Sequence, residues 1–305
     1  MKPLPATLRF VERDWLSSNQ IVGIDANAAT ATVVDTGYAR DATLTVALMR
    51  ELLADTGTRL AHIVNTHLHS DHCGGNRALA DAFGCTITIP HASADEVAGW
   101  DEQRLSFAAT GQRCPRFVHD ATLRPGDTLR LGGLDWDVHA APGHDPKSLL
   151  FHCERERLLI SADALWENGF GVIFPEIEGE PGFDGQHEVL DLIERLRVER
   201  VLPGHGPMFD DVAAALARAR AKLAAMRAGP GRHARHALKV LVKFLLLDAR
   251  RIDERALHER VRDAVVMRRA AAQIGMDYAD ALRWAADSLV TQGLLRREGN
   301  ELVDA

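Results

Sequence analysis

Within six residues, His67 to His72, the chain sets three imidazoles and one carboxylate, directly downstream of the apolar pair Ile63 and Val64. Imidazole suits zinc, iron and related metals, and a carboxylate adds a harder oxygen donor. His67 and His69 stand two apart on an extended stretch, so their side chains project to one side. Asp71 and His72 are adjacent at the start of the following helix and aim at a second point nearby. One ion does not easily accept all four donors from so short a loop, whereas two ions roughly 3.5–4 Å apart can.

Three later positions share the same setting, a strand end followed by a turn. They are His144 in Pro142-Gly143-His144, Asp163 after Ile160-Ser161-Ala162, and His205 in Pro203-Gly204-His205-Gly206. Each alone reads as an ordinary loop residue. With the first cluster they make seven candidate ligands: His67, His69, Asp71, His72, His144, Asp163 and His205. The other nine of the 14 histidines (His62, His91, His119, His139, His152, His187, His233, His236 and His258) read as surface or core residues.

The pattern around these positions predicts sheets flanked by helices. Apolar runs at 20–24 and 30–34 flank a turn and read as a hairpin. Helical spacing covers 43–53, 76–83, 185–196 and 211–228. Gly132 and Gly133 punctuate a second hairpin. Strands at 149–152, 158–160 and 200–202 follow. The order fits two sheets with helices packed outside, an α+β architecture.

Gly229-Pro230-Gly231 is the best boundary, dividing the 305 residues into 1–228 and 229–305. The net charge of −7 divides with it: residues 230–305 carry 14 basic and 11 acidic side chains, and the remainder carries −10. Helices are predicted at 233–247, 253–266 and 278–292, then a terminal hairpin. Three helices and a hairpin suggest a winged-helix-like C-terminal domain.

The motifs at 67–72, 142–144, 163 and 203–206, with the strand-terminal Asp35, stand in an order that resembles the metallo-β-lactamase superfamily. The resemblance spans about residues 20–210. It implies an αββα sandwich with the site at one edge. It also implies that His67, His69 and His144 hold one metal, that Asp71, His72 and His205 hold a second, and that Asp163 bridges them. Asp35 would orient ligands rather than bind. The family often has Gly before the bridging acid, where this chain has Ala162. The tail looks more like the winged-helix branch, similar to lactamase-beta-like endoribonucleases, than the helical tail of glyoxalase II.

The chemistry expected is hydrolysis. Two divalent ions, Zn2+ first and Fe or Mn as alternatives, generate a bridging hydroxide near neutral pH and polarise the substrate oxygen. Asp71 is the candidate for steering the nucleophile or passing a proton. No Ser or Cys nucleophile is required, and Ser161 and Cys73 read as packing residues. The substrate expected is a small ester, thioester, lactone or amide. The alternative is a metal-dependent endoribonuclease whose winged helix contacts RNA, and a regulatory protein with a decayed site is disfavoured by the intact ligand set.

Three secondary features bear on this choice. Phe170, Ile173 and Phe174 form either a substrate wall or a cover for the sheet edge. Residues 91–112, with Trp100 and Phe107, are compatible with a lid. Arg232, Arg235, Lys239 and Lys243 recur at helical spacing as a candidate basic stripe. Four cysteines without C-x-x-C spacing, no leader-like apolar run and no membrane-length segment suggest a reduced, cytoplasmic protein. The sequence leaves the oligomeric state open.

Overall fold

The structure, a computed structural model, describes residues 3–305 apart from the side chain of Pro230. The first sheet has the order β1-β2-β3-β4-β5-β6: β1 (Leu8–Val11), β2 (Gln20–Asp25), β3 (Thr30–Val34), β4 (Arg59–Val64), β5 (Thr86–Pro90) and β6 (Ala121–Leu123). β2 and β3 form the expected hairpin, with Val22 opposite Val33, and β3 to β6 are parallel. The second sheet has the order β11-β10-β9-β8-β7, from β7 (Thr128–Leu131), β8 (Leu134–Ala140), β9 (Leu149–Cys153), β10 (Leu158–Ala162) and β11 (Arg200–Pro203). β10 and β11 are parallel.

Alternation along the strands builds three apolar layers. Ile21, Val34 and Val64 face Leu131, Trp136, Val138 and Phe151 between the sheets. The other face of the first sheet, with Val33, Leu60 and Ile63, is covered by α1 (Ala42–Leu53) and α3 (Asn76–Phe83), which follows the one-turn α2 (Ser70–Cys73). Beyond α3 come α4 (Ala94–Gly99), α5 (Phe107–Thr110) and α6 (Phe174–Glu178). The outer face of the second sheet, with Leu150, Leu159 and Val201, meets α7 (Gly182–Arg195) and α8 (Val212–Arg227). The result is the expected αββα sandwich.

The tail holds α9 (Pro230–Ala249), α10 (Glu254–Arg260), α11 (Val265–Gln273) and α12 (Tyr278–Thr291), with a sheet of order β12-β14-β13. Its strands are β12 (Arg251–Asp253), β13 (Leu295–Glu298) and β14 (Glu301–Asp304). Two expectations are corrected here. The helix expected over 253–266 is two helices, because the chain turns at Val261, whose amide bonds back to Leu257, before Ala264 caps α11. The terminal hairpin also gains β12 as a third strand. The tail core includes Ala109, Val172 and Ile177 of the sandwich, so it packs on the sandwich directly.

The lid reading of 91–112 is also corrected. Phe107 is buried, and Trp100 packs on it and on Phe117 in the core under the first sheet. Among the described residues no helix is long and apolar enough to cross a membrane. All four cysteines are free and buried.

Candidate metal centre

All seven candidate ligands converge at the carboxyl ends of β4, β10 and β11 and the loop joining β8 to β9. Carboxyl ends of parallel strands are where open α/β sheets expose turn residues to one common crevice. Asp35, just past β3, takes a left-handed backbone at φ 58°. That turn lets one carboxylate accept from Thr66 N at 2.9 Å, Thr66 Oγ1 at 2.8 Å and His72 Nδ1 at 2.8 Å. The last contact fixes the His72 ring so that Nε2 points away from Asp35 into the centre.

The donors fall into two groups. His67 Nε2 lies 3.1 Å from His69 Nδ1, which lies 2.7 Å from His144 Nε2. His144 is turned to this point because its Nδ1 donates to Val172 O at 2.5 Å. In the second group His205 Nε2 is 3.2 Å from Asp71 Oδ2, and His72 Nε2 is 3.9 Å from the same oxygen. Asp163 stands between them. Its Oδ1 is 3.3 Å from His72 Nε2 and 3.8 Å from His205 Nε2, while its Oδ2 is 3.3 Å from His144 Nε2.

This donor set fits divalent cations. Three imidazole nitrogens meet in the first group, a combination that suits zinc. In the second, His72 Nε2 is buried and faces Asp163 Oδ1 at 3.3 Å without a well-aligned hydrogen bond, a position from which it can donate its lone pair to a cation.

Burial, reinforced by the neighbouring imidazoles, holds His67 well below the usual histidine range. Burial likewise brings His69 and His144 down to about 4, leaving their lone pairs free at neutral pH. At His72 burial also opposes charge, but Asp163, Asp35 and Asp71 outweigh it and raise the pKa well above normal. At Asp163 burial favours the neutral acid, and His72, His205 and His144 overcome it, so the carboxylate stays ionised.

Several residues at the site carried no sequence signal, apart from Trp166, which belongs to the aromatic loop 165–174 read as a candidate substrate wall. Trp15, 57% exposed, lies parallel to the His205 ring at 5.3 Å. Trp166 packs edge-on against both rings and donates Nε1 to Asp163 Oδ1 at 3.2 Å. Asn19 donates Nδ2 to Pro203 O and Gly206 O, and Ser18 N bonds Asp71 O, so one segment clamps two ligand loops. Apart from the local Trp166–Asp163 bond, these contacts join segments distant in sequence.

The secondary features now have definite places. Phe170 and Ile173 are core, whereas Phe174 reaches the His69 and His144 rings at 5.1 and 5.5 Å. Ser161 Oγ donates to Leu165 O, and Cys73 is buried beside Cys114. His187 pairs with Asp191 on the exposed face of α7. The basic stripe is divided. Lys243 is taken up by Asp304 and Leu294 O, whereas Arg232, Arg235 and Lys239 line a groove of about 510 Å³ with Lys222, His236 and Trp284. Lys222, brought down to about 8 by burial, donates to Phe170 O and lies 6.0 Å from the Trp166 ring.

Comparisons with known proteins bear on the family and the fold. The profile of the metallo-beta-lactamase superfamily matches residues 15–205. A hydroxyacylglutathione hydrolase of Rhizobium meliloti (strain 1021) is 31% identical over 124 residues, 41% of each chain. An acyl-coenzyme A thioesterase of Homo sapiens is 27% identical over 52% of this chain and 61% of its own. The chain thus spans about two-fifths of the length of the first of these relatives and three-fifths of the second. A metallo-beta-lactamase family protein of Thermus thermophilus shares the fold, with a TM-score of 0.58, 19% identity, and 99% of this chain and 100% of that one covered. With its profile match extending over more than half the sequence, the chain belongs to the metallo-beta-lactamase superfamily.

Proposed function

We propose that this protein hydrolyses a small acyl thioester at a dinuclear centre, with His67, His69 and His144 holding one Zn2+, Asp71, His72 and His205 holding the other, and Asp163 shared. The observation that carries this reading is the position of Asp163, with one carboxylate oxygen toward each group of donors. Two bound divalent ions supply Lewis acidity toward a carbonyl oxygen and bring the pKa of water toward about 7. The chain's own residues do the rest. Asp35 and Val172 O hold His72 and His144 in the same Nδ1–H tautomer, with Nε2 turned toward the centre. Trp15, Trp166 and Phe174 narrow the mouth and exclude water from the acyl group. Asp71, on the less buried side, is placed to accept or return a proton at the leaving sulfur. Two relatives, one named a hydroxyacylglutathione hydrolase and the other an acyl-coenzyme A thioesterase, support thioesters over lactones and amides. We further propose that residues 229–305 are a separate domain of winged-helix form.

A second reading, a metal-dependent endoribonuclease, is favoured by the groove between α8, α9 and α12. Lys222, Arg232, Arg235 and Lys239 line it, and none has a carboxylate within 4.0 Å among the described residues. One assay separates the readings. Zinc-loaded protein and His69→Ala are compared on glutathione and coenzyme A thioesters, lactones, β-lactams and single-stranded RNA. Thioester turnover lost in His69→Ala is expected. RNA cleavage alone, weakened by salt and by Arg235→Glu, favours the nuclease. Equal activity in His69→Ala contradicts both.

A further inference from the structure

We propose that Asp137, His139 and His152 form a divalent-cation site of their own, on the outer face of the second sheet and apart from the seven-ligand centre. β8 alternates: Trp136 and Val138 lie in the core between the sheets, so Asp137 and His139 share the opposite face. β9 runs antiparallel beside it, with Asp137 directly opposite His152 and His139 opposite Leu150. Directly opposed side chains stand about 4.5–5.5 Å apart at Cβ, and diagonal ones within reach of long side chains. The three donor atoms lie within 4.8 Å of one another.

The second observation is independent of that spacing. His152 is only 4% exposed, and its Nε2 is buried with no hydrogen-bond partner among the described residues. The Nε2 of His139 is buried and unpartnered as well. The two rings, 6.3 Å apart and inclined at 51°, do not satisfy each other. Two orphaned imidazole nitrogens beside a carboxylate are a donor set suited to a divalent cation.

Two nitrogens and one oxygen suit Zn2+, with the fourth tetrahedral position open to solvent on the Asp137 side. Ligand atoms about 2.1 Å from a tetrahedral zinc stand about 3.4 Å from one another. The exposed Asp137 side chain is free to rotate toward the two nitrogens. The site bridges β8 and β9 just before the loop that carries His144. Its role is that of a brace on the strand pair, outside the chemistry.

Zinc content is measured after dialysis against micromolar Zn2+, on wild-type protein, Asp137→Ala and Asp137→Ala/His139→Gln, alongside thermal melting with and without Zn2+. We expect each variant to hold one equivalent less than wild type, to gain less melting temperature from zinc, and to keep the activity of the main centre. The difference of one equivalent is read whatever the main centre binds or hydrolyses. Asp137 is exposed, so its variant retains the fold even where the double variant does not. Equal zinc content and equal zinc-induced stabilisation in wild type and Asp137→Ala would overturn the proposal.

Discussion

Asp35 and Ala162 both adopt left-handed backbones, at φ 58° and φ 47°, immediately before or beneath the ligands. Such conformations cost of order 1–3 kcal/mol and persist where the surroundings over-determine them. The Asp35 side chain is held by three hydrogen bonds, all of which use its carboxylate as acceptor. Asn at this position keeps one acceptor and turns an amide toward a donor. Asp35→Asn is therefore expected to weaken zinc binding about 10–100-fold in a chelator competition; unchanged affinity contradicts the orienting role. At Ala162, Gly relieves the strain but loses a buried methyl and adds chain entropy, terms of about 1 kcal/mol each way. Ala162→Gly is expected to change stability by less than about 1 kcal/mol. Ala162→Val, β-branched at positive φ, is expected to cost roughly 2–3 kcal/mol in denaturant unfolding and to displace Asp163.

At the scale of elements, the convergence of the seven candidate ligands was legible because their segments each follow a short apolar strand, a local pattern. α3 over 76–83 was legible for the same reason, with Gly84 closing it in the left-handed region. The split between α10 and α11 was not, since Leu257, Val261 and Val266 all face one core and give a continuous helical rhythm. β12, three residues long, carries too short an alternation to register, and its pairing with β14 is made across 48 residues. The turn glycines show how elements set ligand geometry. A Cβ at Gly171 would lie 2.4 Å from His144 Nδ1, where the ring donates to Val172 O. Gly171→Ala is expected to push His144 off its acceptor and to lower bound zinc by at least one equivalent while circular dichroism stays native. Full zinc content in that variant contradicts the assignment of His144.

Across the whole molecule, one carboxylate joins the tail to the sandwich. Asp248 on α9 accepts from Arg113 Nη2 at 3.0 Å, Arg260 Nη2 at 2.5 Å and Tyr38 OH at 3.3 Å. Burial and the Asp248 charge push the Tyr38 hydroxyl up to about 12, so it remains a donor at neutral pH. Arg113 is mostly exposed and rehydrates when its partner is lost, whereas Arg260 and Tyr38 do not do so fully. Asp248→Ala is therefore expected to cost about 1–3 kcal/mol, read as a lower melting temperature; a change under about 0.5 kcal/mol contradicts the coupling. This coupling was invisible in the sequence, which marks only a boundary at Gly229. The same holds for the contact of α11 with α6, whose Phe174 lies against His69 and His144.

In the proposed centre, seven side chains from four loops hold two ions. Anomalous diffraction at the zinc edge, from crystals of zinc-loaded protein, tests it most directly. The account predicts two peaks roughly 3.5–4 Å apart, one ringed by His67, His69 and His144, the other by Asp71, His72 and His205, with Asp163 touching both. A single peak there, or none, would contradict it.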